Sequence, residues 1–233
     1  MGKLSRNLDC YSEVHWRAAI KVLQYLKSTR DFGLVFKRGG SATAVAYADP
    51  DWATDKEQRN STSGYVAILE EAAIIWKSAR QKCIALSTME AEYVALCDCV
   101  KESVWLRRVL RFMNAEQGEP TAIFEDNNSC IALANNPEQR EKAKHIDLKY
   151  HDTRSMVRDQ VVLFLRCSTA DQVADTFTKA QLFSSSDVVQ EFFRGEILRP
   201  ARKQRTGRVS RKVLADLPKW GCGAPENNSR RKD

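Results

Sequence analysis

The residues best suited to chemistry in this chain are acids placed at the ends and starts of regular elements. Asp49 closes the apolar run Val45-Ala46-Tyr47-Ala48, and Asp126 follows the run Ala122-Ile123-Phe124-Glu125. Glu90 and Glu92 fall in the first turns of a long helical pattern, and Asp175 falls in the last short one. Open α/β sheets gather their sites where strands end. Carboxylates converging there would make a cage of hard oxygen donors, the kind that holds Mg²⁺ and leaves positions for water and phosphate. Two such ions about 4 Å apart can activate a water and stabilise a departing oxygen, which is the chemistry of phosphodiester cleavage. A carboxylate after a strand is also an ordinary turn or helix-cap residue, and chain order alone leaves both uses open.

The elements that must position these acids can be read from periodicity. Residues 15–27 place Trp16, Ala19, Ile20, Leu23 and Leu26 on one stripe, predicting an amphipathic helix. Short strands are expected at 34–36 and 43–49, an antiparallel hairpin at 64–69 and 73–78, and a further strand at 83–86. The period then changes: Met89, Tyr93, Leu96, Val100 and Val104 predict a helix from about Ser87 to about Phe112. Ser87 followed by Glu90 fits a capping box at its start. A strand at 121–125, helices at 127–135 and 145–157, a strand at 161–166 and a helix at 170–180 complete the order. Strands, helix, strand, helices, strand, helix make a mixed α/β sheet rather than a bundle or a sandwich.

Composition bounds the classes that remain. The 233 residues are 43% hydrophobic and 29% charged, and mean hydropathy is −0.47. No run of eighteen apolar residues is present, so no membrane-spanning helix and no membrane partner is expected. The N-terminus has no apolar signal region, so the expected compartment is intracellular and reducing, a cytoplasmic particle or the nucleus. Seven cysteines without a C-x-x-C pair suggest free thiols rather than a disulfide framework or zinc site. The net charge of +7 resides in the end of the chain, where twelve Lys and Arg stand against four Asp and Glu from Arg194 onward. Residues 1–193 are balanced, so overall attraction to polyanions belongs to a basic tail of disorder-prone composition.

Several segments then carry a specific likeness. YADPDWATD (47–55), RNSTSGYVAIL (59–69), IIWKSARQ (74–81), ALSTMEAEYVAL (85–96), ESVWLRRVL (102–110), EDNNSCIALANNP (125–137), KHIDLKYH (144–151) and VADTFTK (173–179) closely resemble successive motifs of the ribonuclease H domain in copia-type retrotransposon polyproteins. The stretch 15–36 is similar to the connection between their reverse transcriptase and the nuclease, and no Tyr-x-Asp-Asp polymerase motif is present. The resemblance implies an RNase H-like fold, a mixed five-stranded sheet with helices on both faces. It implies hydrolysis of the RNA strand of RNA/DNA hybrids with Mg²⁺ or Mn²⁺, and the reverse transcriptase of the same polyprotein as partner. It divides the chain into a remnant of the connection (1–37), the RNase H-like domain (38–182) and a basic tail (183–233).

By the same resemblance Asp49, Glu92, Asp126 and Asp175 match an acidic metal-binding tetrad. Asp49 and Asp126 would bind metal directly, Glu92 would hold an ion near the ribose side of the scissile step, and Asp175 would complete the other site. Glu92 is preferred over Glu90 because Glu90 has the capping role and Glu92-Tyr93-Val94-Ala95 fits the family's Glu-x-x-Ala. Asp51 is assigned to a loop, because Pro50 favours a turn. Arg59, Ser61 and Ser63 could contact substrate phosphate, with Gly64 allowing close backbone approach, or could simply start the next strand. Asn127 and Asn128 could touch the minor groove, where the 2′-OH separates RNA from DNA, or cap the following helix. Lys77, Arg80 and Lys82 are candidate backbone contacts or an ordinary wet strand edge. His145 and His151 have no matching role, His15 is a helix-start residue, and Trp76 and Trp105 are expected in the core. EEAA at 70–73 replaces the family's glycine-rich turn, so a looser hairpin is expected, and the chain beyond Ala180 matches nothing. The truncated start and unmatched end suggest a polyprotein fragment, and leave a second reading: a relic that keeps the fold as a nucleic-acid-binding module.

Overall fold

The computed structural model describes residues 2–36, 43–53, 59–70, 72–135 and 147–179, with the backbone alone at Lys3 and 147–151. The chain divides into Met1–Leu198 and Arg199–Asp233, the second outside the described residues. The expected domain boundaries, near 37 and 182, also lie outside them. Element order is α1 (Gly2–Ser5), α2 (Glu13–Ser28), β1 (Ala44–Asp51), β2 (Thr62–Leu69), β3 (Ala72–Arg80), α3 (Thr88–Phe112), β4 (Thr121–Glu125), α4 (Asn128–Asn135), α5 (Asp147–Arg158), β5 (Val162–Arg166), a 3₁₀ turn (Thr169–Asp171) and α6 (Asp175–Thr178).

One mixed sheet runs β3-β2-β1-β4-β5. β1, β2 and β3 are antiparallel neighbours, whereas β4 lies parallel to β1 and to β5. The β1–β4 register pairs Val45 with Ala122 and Tyr47 with Phe124. The same offset brings Asp49 level with Asp126, so the parallel pairing puts the two acids at one end of the sheet. Strand alternation then assigns faces. Ala44, Ala46 and Ala48 of β1 turn toward α3 and join the main core with Tyr93, Leu96, Val100, Ile123 and Phe164. Three alanines in register let α3 approach closely, and α4 and α5 pack beside it. Val45 and Tyr47 turn to the other face, where Val66, Ile68, Val173 and Phe177 form a second cluster around α6. Helices thus cover both faces, as expected.

α3 is buried more broadly than one stripe: Ala91, Tyr93 to Cys97, Cys99 and Val100 are all inside, because α4 and α5 flank its first half. Ser87 caps it, its Oγ accepting the Glu90 N–H at 3.2 Å, while Glu90 Oε2 accepts the Leu86 N–H at 2.6 Å.

Several expectations are corrected. Residues 32–36 and 83–86 are not strands; Leu34 instead packs on the α6 side of the sheet. β1 runs through Pro50 to Asp51, which pairs with Thr62. The proline is tolerated there because it lies beyond the last β4 pair, where no N–H is required. The β2–β3 turn is tight, since Leu69 pairs with Ala72. Glu70 takes the left-handed φ of 51° there without a glycine's help. Trp76, on edge strand β3, and Trp105, on the outward side of α3, are about half exposed rather than core. α2 forms where its stripe predicts, yet none of its residues is buried. His15 acts at its start, Nδ1 accepting the Ser12 N–H at 3.0 Å. The six described cysteines are free thiols, and no helix among the described residues is long and apolar enough to cross a membrane.

Candidate metal centre

Four elements meet at the end of the sheet where β1 and β4 finish. Asp49 lies near the end of β1 on the α6 face and is 2% exposed. Asp126 follows β4 directly, and its Oδ2 accepts a hydrogen bond from Thr169 Oγ1 at 2.9 Å. Glu92, one turn into α3, reaches the same point. One carboxylate oxygen from each of Asp49, Glu92 and Asp126 lies within 4.8 Å of the others. Glu90 is not part of this group: its carboxylate is spent on the helix cap.

Asp175, the first residue of α6, is not in the triad, but stands beside Asp49 and interacts with it electrostatically. Its Oδ1 is 2.5 Å from Lys179 Nζ, and the same Nζ is 3.6 Å from Asp49 Oδ1. Thr178 Oγ1 donates to Asp49 Oδ2 at 2.5 Å. α6 is held here by two devices. Gln172 Nε2 donates to Ala48 O at 2.9 Å, tying the preceding turn to β1. Gly64, paired with Asp49 across β1–β2, provides the space: a Cβ there would fall 2.6 Å from Thr178 Cγ2 and 3.0 Å from Phe177 Cβ. The close approach that Gly64 permits is therefore filled by α6.

A further acid went unforeseen. Glu125 is fully buried on the α3 face of β4; its Oε1 accepts the Asn127 N–H at 3.1 Å, and its Oε2 has no hydrogen-bond partner among the described residues. Glu92 Oε2 is likewise buried without a partner. The available signal was parity: Thr121, Ile123 and Glu125 share one side of β4, so the glutamate had to follow Ile123 inward. Thr169, Thr178 and Lys179 carried no comparable signal.

The electrostatics follow from burial of so much like charge. Desolvation, then the neighbouring carboxylates, raises Glu92 and Glu125 well above the ordinary carboxylate range. Asp49 is pushed up to about 7, by burial first, with Asp175 adding to the rise and Thr178 and Lys179 opposing it. Converging carboxylate oxygens, with Glu92 Oε2 buried and without a hydrogen-bond partner among the described residues, fit a hard divalent cation.

The expected nucleic-acid contacts separate. Arg59 is exposed, with a left-handed φ of 57°. Ser61 and Ser63 are buried and turned inward: Ser61 Oγ accepts the Ala53 N–H at 3.2 Å, and Ser63 Oγ accepts from Gln81 Nε2 at 2.9 Å. Gln81 Nε2 also donates to Ala91 O, so both serines belong to a buried knot joining the hairpin to α3. Neither faces a surface that a duplex could touch. Asn127 uses its Oδ1 to cap α4, accepting the Ser129 and Cys130 N–H groups. His145 lies outside the described residues, as does the side chain of His151. Lys77 lies 5.8 Å from the centroid of the Tyr65 ring, and Lys82 is exposed.

No protein-family model matches the chain. Over 180 residues it is 39% identical to the "Retrovirus-related Pol polyprotein from transposon TNT 1-94" of Nicotiana tabacum, a match covering 77% of this chain and 13% of that polyprotein. The chain thus spans about an eighth of that relative's length. It is 45% identical over 106 residues to the "Secreted RxLR effector protein 161" of Plasmopara viticola, covering 46% of this chain and 75% of that protein. Among solved structures, LC11-RNase H1 in complex with an RNA/DNA hybrid aligns with a TM-score of 0.43 at 14% identity, over 58% of this chain and 94% of that one.

Proposed function

Because the chain belongs to the family of copia-type retrotransposon Pol polyproteins, we propose that it is an endonuclease of the RNase H type, cutting the RNA strand of RNA/DNA hybrids with Mg²⁺ or Mn²⁺. The observation that carries the reading is the triad of Asp49, Glu92 and Asp126, whose oxygens converge within 4.8 Å beside a buried, unpartnered Glu92 Oε2. Divalent ions, when bound there, would polarise the scissile phosphate and lower the pKa of an attacking water.

The protein's own residues prepare that chemistry. Asp49, with Asp126 level beside it, is the shared centre, and the rigid β1–β4 pairing fixes their separation. Thr169 holds one oxygen of Asp126, so that carboxylate meets a ligand already oriented. Glu92 enters from a helix anchored by its own cap, and Glu125 lies behind it as a second buried carboxyl that does not reach solvent. Asp175 stands on the α6 side of Asp49, where it would serve the second ion. Arg59, Lys77, Arg80 and Lys82, all exposed, remain the candidates for substrate phosphate contacts. The preference for RNA and the pairing with a reverse transcriptase rest on family membership.

A labelled RNA/DNA hybrid incubated with the full chain and Mg²⁺ tests the reading. Cleavage that needs the metal and falls at least about a hundredfold in Asp126→Asn is expected; no metal-dependent cut by the parent refutes it. A second reading, a repurposed copy that binds hybrid without cutting it, draws on the Plasmopara viticola relative, 75% of whose length this segment matches. Retained hybrid binding without cleavage would favour that reading.

A further inference from the structure

Lys179 stands between two parts of the centre. Its Nζ contacts Asp175 Oδ1 at 2.5 Å and lies 3.6 Å from Asp49 Oδ1, while Asp49 also belongs to the triad with Glu92 and Asp126. The ammonium is brought there by anchored backbone. The Lys179 N–H donates to Asp175 O at 2.9 Å, closing α6. The preceding Thr178 is hydrogen-bonded to Asp49, and Gly64 leaves room for Thr178 and Phe177 against the sheet. The side chain itself is 43% exposed, against 3% for Asp49. It can therefore swing into solvent without opening the core.

A divalent ion held by Asp49 and Asp175 would need oxygens at about 2.0–2.1 Å for Mg²⁺, in the space the ammonium fills. Two cations sharing that space would repel at close range, so one must leave. We propose that Lys179 is the resident cation of the Asp49–Asp175 side of the centre: the chain takes one divalent ion at the triad, and a second only by displacing Lys179. This deepens the nuclease reading and rests on its metal site, but not on turnover.

Counting bound Mn²⁺ on the full chain by electron paramagnetic resonance tests it without any cleavage step. The parent is expected to bind one ion, Lys179→Met two, and Lys179→Arg, which keeps the charge, one. The second ion should bind Lys179→Met at least about tenfold more tightly than it binds the parent. Lys179→Gln repeats the measurement should the methionine variant fold poorly by circular dichroism. A parent that already binds two ions, or neutral variants that gain none, overturns the inference. If the parent's single ion is lost in Asp126→Asn while the neutral variants gain nothing, only the role of Lys179 falls. If the parent binds no Mn²⁺ at all, the metal reading falls with it.

Discussion

Replacing Gly64 with alanine probes the packing that assembles the centre. The added methyl would meet Thr178 Cγ2 at 2.6 Å, Phe177 Cβ at 3.0 Å and Ala174 O at 3.1 Å. Carbon atoms in contact rest about 3.5–4.0 Å apart, so α6 has to retreat by roughly 1 Å. In an open strand the same change stabilises by about 0.5–1 kcal/mol, because alanine loses less backbone entropy on folding. Overpacking costs about 1–3 kcal/mol, so the net effect here is a loss of up to about 2.5 kcal/mol. The functional loss should be larger than that figure suggests. α6 carries Asp175, Thr178 and Lys179, and a displacement of about 1 Å at a reacting centre can cost on the order of a hundredfold in rate. Urea unfolding and hybrid cleavage, measured on the same preparations, separate the two effects. Thr178→Ser removes the nearest methyl while keeping the hydroxyl on Asp49, so adding it to Gly64→Ala should recover part of both losses; Phe177 and Ala174 keep the rest. A Gly64→Ala variant more stable than the parent and fully active would refute the argument, as would a double variant no better than the single one.

The raised acids predict an unusual pH dependence. Asp49 is held near 7, chiefly by burial, against an ordinary value of 3.8, so between those values the folded chain binds more protons than the unfolded one. Stability in EDTA should therefore be fullest at the acid end and fall as pH rises from about 4 to about 7, with Glu92 and Glu125 extending the fall. Saturating Mg²⁺, which binds the deprotonated carboxylates, should flatten or reverse that slope. Thermal melts across the window with and without Mg²⁺ check this, and a metal-free Tm that climbs with pH contradicts it. In the β2–β3 turn, Glu70→Gly should relieve the left-handed strain at φ 51°. It should stabilise by about 0.5–1 kcal/mol after the entropy glycine loses. Chemical denaturation reads that gain, and a lower midpoint would show that Glu70 holds the turn some other way.

Much of this architecture is legible in the sequence because local pattern and tertiary role coincide. TAIFE is a strand with the bounds its composition suggests, and Ser87 caps α3 as its spacing to Glu90 implies, although the Glu90 carboxylate takes the Leu86 N–H and not that of Ser87. Glu92 could be separated from Glu90 for the same reason: the cap uses one of the two. Where pattern and role diverge, the reading misses. Ser61 and Ser63 look like an exposed polar loop, but the Ser61 hydroxyl accepts the Ala53 N–H, and the Ser63 hydroxyl accepts from Gln81, which only the closed hairpin brings near. Trp76 looks like core until its strand proves to be the edge of the sheet. Lys179 and Thr178 reach Asp49 across about 130 residues of chain, a contact that no local spacing encodes.

The divergence has a physical consequence for the site itself. Spacing reveals which acids are present, but not what offsets their repulsion once they are gathered. The fold collects Asp49, Glu92, Glu125, Asp126 and Asp175 with Lys179 as the one cation the described residues bring against Asp49 and Asp175. Thr178 and Lys179 at Asp49, and the Asn127 N–H at Glu125, relieve part of the imbalance, and the rest shows as raised pKa values at Asp49, Glu92 and Glu125. A divalent ion entering the triad would have to displace the protons those raised pKa values retain, so its affinity should rise with pH across the same window. Its affinity should then depend on the groups behind the ligands as much as on the ligands. Glu125, which never reaches solvent, would enter that balance through the proton it retains, and Lys179, by the proposal above, through the charge it sets against Asp49 and Asp175.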